Sequence, residues 1–214
     1  MTSARAVTAL STAAIAGGLG VAVKRDSTKR INRAVRKRIH PQRSASLRSF
    51  AKGISYPANP HIHPFVAAAL GVMINRKQRA GGVAPLAASL AALGVDNATR
   101  IFVHQHRPPK AGRHHGRNRY GYPSGHTTAT TAIAIASAGE IASKLSSRER
   151  RLLWTAVAAV SISMAWSRLY LDEHWIDDIV GGWMAGIALG LGSIAMSTPR
   201  PSRNPEPGTP THTR

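Results

Sequence analysis

The sequence predicts an all-α fold: a membrane bundle of about six transmembrane helices with its functional site at one membrane–water interface. Three observations carry this. Six apolar blocks recur along the chain, at Ala6–Val23, Pro64–Ile74, Gly81–Val103, Thr127–Ala142, Leu152–Trp166 and Ile179–Met196. Their interiors hold very few charges, and the charges collect at block ends, as a bilayer requires when a central charge costs roughly 2.5–3.5 kcal/mol. The blocks are rich in Ala and Gly, which lowers the mean hydropathy to −0.15 but lets neighbouring helices approach closely. A formal net charge of +20, from 29 Lys+Arg against 9 Asp+Glu, calls for an anionic partner: nucleic acid, an acidic membrane surface or a phosphorylated substrate. With no cysteine, a disulfide framework and a thiolate metal site are both excluded.

Taken in order, residues 1–23 are expected to form a first transmembrane helix or signal anchor, because no Ala-x-Ala site followed by a polar start is present. Residues 24–54 form a basic segment with ten Lys/Arg and one acid between Lys24 and Arg48. Its weak amphipathic pattern, at Ile31, Val35 and Ile39, suits an interfacial helix on anionic lipid, and a solvated loop is the alternative. Residues 55–196 hold the remaining five blocks, and 197–214 form a Pro-rich polar tail expected to be disordered. With six spans, the basic turns Arg76–Arg79 and Lys144–Arg151 share a side with both termini, which the positive-inside rule makes cytoplasmic. The other side, extracytoplasmic on this reading, receives Lys24–Arg48 and Lys110–Arg119. The glycines at 181, 182, 186, 190 and 192 lie inside an apolar block and read as helix-packing positions, not as a nucleotide loop.

Three stretches able to do chemistry fall on that second side. Arg100 and Arg107 are seven residues apart, two turns on one helix face if the helix runs to Pro108, and paired guanidinium donors suit phosphate oxygens. Tyr122-Pro123-Ser124-Gly125-His126 precedes the fourth block. Ser124 is placed to cap the helix, Gly125 permits close approach of a ligand, and a helix start attracts anions. Ser167-Arg168 is followed by His174 and Asp178 at i, i+4, where a carboxylate could fix the tautomer of a nucleophilic imidazole. Taken alone, each has a plain structural reading: snorkelling arginines, a capped turn, a helical His–Asp pair.

Together, in this order, Arg107-Pro108, Pro123-Ser124-Gly125-His126 and Ser167-Arg168-x5-His174-x3-Asp178 resemble the type 2 phosphatidic acid phosphatase superfamily of lipid phosphate phosphatases, class A acid phosphatases and vanadium haloperoxidases. The similarity covers roughly Ser55 to Met196. One departure is Arg100, where the family carries lysine. The resemblance implies a hydrolase that removes phosphate from a lipid phosphate or polyprenyl pyrophosphate through a phosphohistidine. His174 would be the nucleophile, Asp178 its orienting carboxylate and His126 the acid for the leaving oxygen. Arg100, Arg107, Ser124, Gly125 and Arg168 would bind phosphate. Three guanidiniums can neutralise charge that a metal neutralises elsewhere, so neither metal nor cofactor is expected.

Other residues receive plainer expectations. His104, His106, His114 and His115 match no zinc spacing, and His104 stands one helical turn from Arg100. Asp172, Glu173 and Asp177 read as solvated or helix-start charges. The expected partners are the lipid phosphate substrate and membrane lipids; the oligomeric state is left open. The alternatives are a soluble acid phosphatase or vanadium-dependent haloperoxidase of the same superfamily and, in another class, a basic nucleic-acid-binding protein. An aromatic content of 5% leaves the last with few stacking residues.

Overall fold

The computed structural model describes residues 2–39, 44–78, 81–109 and 119–197. His114 and His115, most of the Lys110–Arg119 loop, and the tail after Ser197 lie outside the described residues. Among the described residues eight α-helices follow in order: α1 (Thr2–Lys24), α2 (Lys29–Ile39), α3 (Ala45–Ser55), α4 (His63–Gln78), α5 (Ala84–Phe102), α6 (Gly125–Ile141), α7 (Ser147–Tyr170) and α8 (Ile176–Ser197). The six apolar blocks became α1 and α4–α8. Among the described residues three helices, α1, α7 and α8, are long and apolar enough to cross a membrane on their own. The basic segment left open between an interfacial helix and a loop folded into α2 and α3, which pack back onto the bundle.

Polarity in the bundle is inverted relative to a water-soluble core. Its buried clusters are built from small residues: Ala67, Ala92 and Ala129 around Ile133, and Ala84, Ala88, Ala132 and Ala136 against Leu189. Large side chains point outward instead, with Leu10, Phe65, Met73, Leu90, Phe102 and Ile162 all more than half exposed. In water such a surface would be an association hazard, whereas in lipid it is the expected one.

The centre of the bundle is α8, packed most closely on α6 and α1. Glycines make the α6 contact. A Cβ on Gly182 would lie 3.0 Å from Thr127 Cβ, one on Gly186 2.7 Å from Thr131 Cβ, and one on Gly190 2.8 Å from Ile135 Cβ. Gly192 differs from its expectation, because its Cβ would meet nothing within 4 Å. Helix ends are fixed locally. Ser124 caps α6, Ser146 and Glu149 form a capping box on α7, and the Glu140 carboxylate accepts from the Gly82 and Ala84 amides at the start of α5. This alternation of direction brings the C-terminal ends of α1, α5 and α7 to the N-terminal ends of α6 and α8.

The glycine seam yields a prediction. Gly186→Val should force α6 and α8 apart and lower stability in detergent by about 1–3 kcal/mol, read as a fall in melting temperature. Gly192→Ala should leave it unchanged.

Candidate active site

Where those helix ends meet, α8 starts at Ile176, so His174 stands just outside it and Asp178 in its first turn. A carboxylate there is favoured by the helix dipole. Asp178 Oδ2 accepts from His174 Nδ1 at 3.1 Å and from the Trp175 amide at 2.9 Å. The carboxylate is fully buried and the histidine 3% exposed. Gly121 makes room for this pair, since a Cβ there would stand 2.8 Å from Asp178 Oδ2. The Ser124 amide donates to the Asp178 carbonyl at 2.9 Å, tying the turn before α6 to the start of α8.

The other face of His174 meets the arginines. Its Nε2 accepts from Arg107 Nη1 at 2.8 Å, and the same Nη1 donates to the Glu173 carbonyl at 2.9 Å. With Nδ1–H committed to Asp178, Nε2 keeps its lone pair. Burial first, then the Arg107 and Arg168 guanidiniums, push the imidazole pKa well below the ordinary histidine range, so the ring is neutral at pH 7. His126 and Arg100 contribute to the same field, which marks these five groups as one electrostatic cluster.

Arg107 did not arrive as expected. The spacing from Arg100 implied one helix to Pro108, but α5 stops at Phe102 and Val103 is extended (φ −112°, ψ 100°). The chain then pairs with the strand-like stretch before α6: the Arg107 amide donates to the Arg119 carbonyl, the Gly121 amide to that of Gln105, and His106 bridges Tyr120. An extended backbone is also what a residue before proline prefers. His104 accordingly leaves Arg100's helix and stacks on Tyr120, ring centroids 4.7 Å apart.

Arg100 ends α5 and is held by Asp96, one turn back, whose Oδ1 accepts from Nε at 3.1 Å and whose Oδ2 accepts from Nη2 at 2.8 Å. The same carboxylate explains Gly125. A Cβ at Gly125 would meet Asp96 Oδ1 at 2.9 Å, so a larger residue there would collide with Asp96. Arg168, on α7, is 6% exposed. Its Nη1 donates to Ser55 Oγ at 3.2 Å, its Nη2 lies 3.3 Å from Glu173 Oε2, and its Nε has no partner among the described residues. Ser124 Oγ is buried as the α6 cap. His126 Nε2 lies 3.2 Å from Asn59 Oδ1, beside the turn that precedes α4.

Sequence reasoning missed Asp96, Asn59, Ser55 and Gly121 here. Asp96 carried a usable signal: an acid inside an apolar block, four residues before a cation. Two acids read as solvated or helix-start charges are buried, and of these Asp177 does lie in the first turn of α8. Asp172 (2% exposed) turns the chain out of α7 at φ 62° and accepts from Arg36 Nε and Nη2, both at 2.9 Å. Asp177 (6% exposed) accepts from Thr28 Oγ1 at 2.5 Å, Asn32 Nδ2 at 2.7 Å and Gln105 Nε2 at 3.0 Å. Both acids fasten α2 across the site, a role invisible without the fold. Among the described residues no group of three or more His, Asp or Glu side chains could hold a metal ion.

Residues 81–202 match the PAP2 superfamily, and the chain belongs to that family. It is 28% identical over 87 residues to an undecaprenyl-diphosphatase of Sulfolobus acidocaldarius, a stretch covering 41% of this chain and 38% of that protein. It superposes with a TM-score of 0.77 and 17% identity on the crystal structure of a transmembrane PAP2-type phosphatidylglycerolphosphate phosphatase from Bacillus subtilis, over 87% of this chain and 94% of the other. The fold is shared with that enzyme.

The buried Asp177 network carries a prediction beyond the sequence reading of a solvated or helix-start charge. In Asp177→Asn, losing a carboxylate oxygen that gathers three side-chain donors should cost about 1–3 kcal/mol. Amide hydrogen exchange across residues 28–39 should accelerate while the body of α8 stays protected.

Proposed function

We propose that this protein is a membrane phosphatase that hydrolyses a lipid phosphate or polyprenyl diphosphate through a phosphohistidine, without a metal ion, on the extracytoplasmic side. The observation that carries the reading is the His174 ring held between the Asp178 carboxylate and the Arg107 guanidinium. A neutral imidazole so oriented presents Nε2 to an electrophile gathered by the arginines. Family membership and the names borne by the two relatives support phosphate hydrolysis. The outward-facing large hydrophobic side chains support a lipid setting over a soluble acid phosphatase or haloperoxidase.

In the proposed first step the phosphate oxygens are bound by Arg100, Arg107 and Arg168, with the unpartnered Arg168 Nε among the donors. Arg107 Nη1 gives up its hydrogen bond to Nε2 for the phosphate oxygens. The freed Nε2 of His174 attacks phosphorus as the bond to the leaving oxygen breaks, and protonated His126 gives its proton to that oxygen. Asp178 stabilises the positive charge that develops on the His174 ring. In the second step His126 takes a proton from water, whose oxygen attacks phosphorus; the P–N bond breaks, and inorganic phosphate leaves with His174 neutral again. Asn59 positions the His126 ring. Arg76 and Lys77, with the turn Lys144–Arg151, at the opposite end of the bundle, support the assigned orientation.

Phosphate release from a lipid phosphate in detergent should persist in excess EDTA and be inhibited competitively by orthovanadate, which mimics the transferring phosphoryl group. A loss on chelation that Mg²⁺ restores would overturn the mechanism. Asp178→Asn should lower kcat by roughly 10²–10⁴-fold with a smaller change in KM, by analogy with the catalytic-triad carboxylate. Equal turnover by this variant and the wild type would remove the proposed role of Asp178.

A further inference from the structure

One acid lies inside an apolar block, and the proposed chemistry gives it no part. Asp96 stands in the body of α5, one helical turn before Arg100, and is 7% exposed. A charge within a membrane helix is costly and persists where a partner and a use hold it there. Its partner is Arg100, which donates from Nε to Oδ1 at 3.1 Å and from Nη2 to Oδ1 at 3.0 Å and Oδ2 at 2.8 Å. Its other side is closed by α6: a Cβ on Gly125 would lie 2.9 Å from Cγ and Oδ1 and 3.1 Å from Oδ2. The carboxylate is thus wedged between a guanidinium and the backbone that joins Ser124 to His126.

That contact takes one edge of a planar group. Nε and Nη2 face Asp96, which fixes the plane of the guanidinium, and Nη1 lies on the side turned from the acid. A lysine, which the family pattern carries at this place, has no second edge. Its ammonium is one point charge, and with Asp96 a turn away it would spend its contacts on the acid. Arg100 does reach the site electrostatically. After burial, its charge does most to lower the Arg107 pKa, while Asp178, Glu173 and Asp96 act against it. An acid this near opposes the binding of phosphate, so its presence calls for a compensating gain.

We propose that Asp96 is a positioning residue that aims Arg100 at the transferring phosphoryl group, and that the two form a matched pair in which Asp96 makes arginine, not lysine, the working residue at position 100. The inference rests on the phosphatase reading and adds a residue to it. Held by one edge, the guanidinium meets the phosphoryl oxygens without reorienting as their charge shifts in the transition state. Without Asp96 the cation is freer and its charge less offset. Ground-state phosphate is then held at least as tightly, and the transition state less so. The departure from the family pattern at Arg100 is on this account one half of a paired change, and Asp96 is the other.

Four forms of the full-length protein are compared in detergent: wild type, Asp96→Asn, Arg100→Lys and the double variant. Phosphate release is followed from farnesyl diphosphate and dioleoyl phosphatidate, and binding of orthovanadate and inorganic phosphate is followed by calorimetry. Asp96→Asn, which keeps the shape against Gly125, should lower kcat roughly 10–10²-fold with KM no higher than in wild type, less than the roughly 10²–10³-fold loss on deleting a transition-state donor. Arg100→Lys should fall at least as far. Adding Asp96→Asn to Arg100→Lys should raise kcat at least about tenfold, because the lysine is released from the acid. A pair that serves only stability predicts a double variant no faster than Arg100→Lys. That outcome, or wild-type kcat in either single variant, overturns the proposal. Arg100→Lys keeps a cation beside Asp96, so its turnover decides the matter even where melting temperatures show that Asp96→Asn does not fold. The preference for vanadate over phosphate should shrink about tenfold in Asp96→Asn. Phosphate release with that preference unchanged sinks the Asp96 role alone. The expected change in ion binding with no release from either lipid sinks the phosphatase reading alone, and a wild type that neither releases phosphate nor binds either ion overturns both.

Discussion

Repulsion among the Arg100, Arg107 and Arg168 guanidiniums, gathered where little water reaches them, is the constraint on which this end of the bundle depends. Each cation is held by nearby acceptors: Arg100 by Asp96 on its own helix, Arg168 by the Glu173 carboxylate and the Ser55 hydroxyl, Arg107 by the Glu173 carbonyl and the His174 ring. Buried charges persist only when paired and hydrogen-bonded. The acids are therefore as much a part of the cluster as the arginines. Asp96 also dictates its neighbour, because its carboxylate fills the space that any side chain larger than glycine at position 125 would need.

Packing below the site follows from the solvent. In lipid there is no gain from burying large apolar groups between helices, so close approach of small residues must supply cohesion. The alanine clusters and the Gly182, Gly186 and Gly190 seam supply it, and they set α6 and α8 at the spacing that lets the Ser124 amide reach the Asp178 carbonyl. Site geometry and membrane packing are thus one arrangement seen at two depths.

Most of the all-α architecture could be read from the sequence because charge segregation and apolar block length are local properties. The juxtaposition of His174 with Asp178 was legible for the same reason, being a spacing within one turn. What could not be read was what depends on contacts distant in the chain. Nothing near Asp177 marks it as the acceptor for Thr28, Asn32 and Gln105, and Asp172 looks like any loop acid until Arg36 is brought to it. The end of α5 was misplaced because heptad spacing suited Arg100 and Arg107, whereas the pairing of Gln105 and Arg107 with residues 119–121 favours an extended chain. The basic segment after α1 was ambiguous by composition, and only these long-range partners made it a folded roof.

The attachment of α1 bears on how the molecule is made. Its main packing partner is α8, and the Tyr122 hydroxyl donates to the Ala16 carbonyl in its middle. Synthesis at about 5–20 residues per second leaves roughly eight to thirty seconds between the emergence of Lys24 and that of Ile176. Throughout that interval α1 sits in the bilayer without its principal neighbour, its small-residue face against lipid. Biogenesis must therefore include a late lateral docking event, in which α1 waits in the bilayer for α8, and the arginine-rich end is roofed only after the start of α8 has been made.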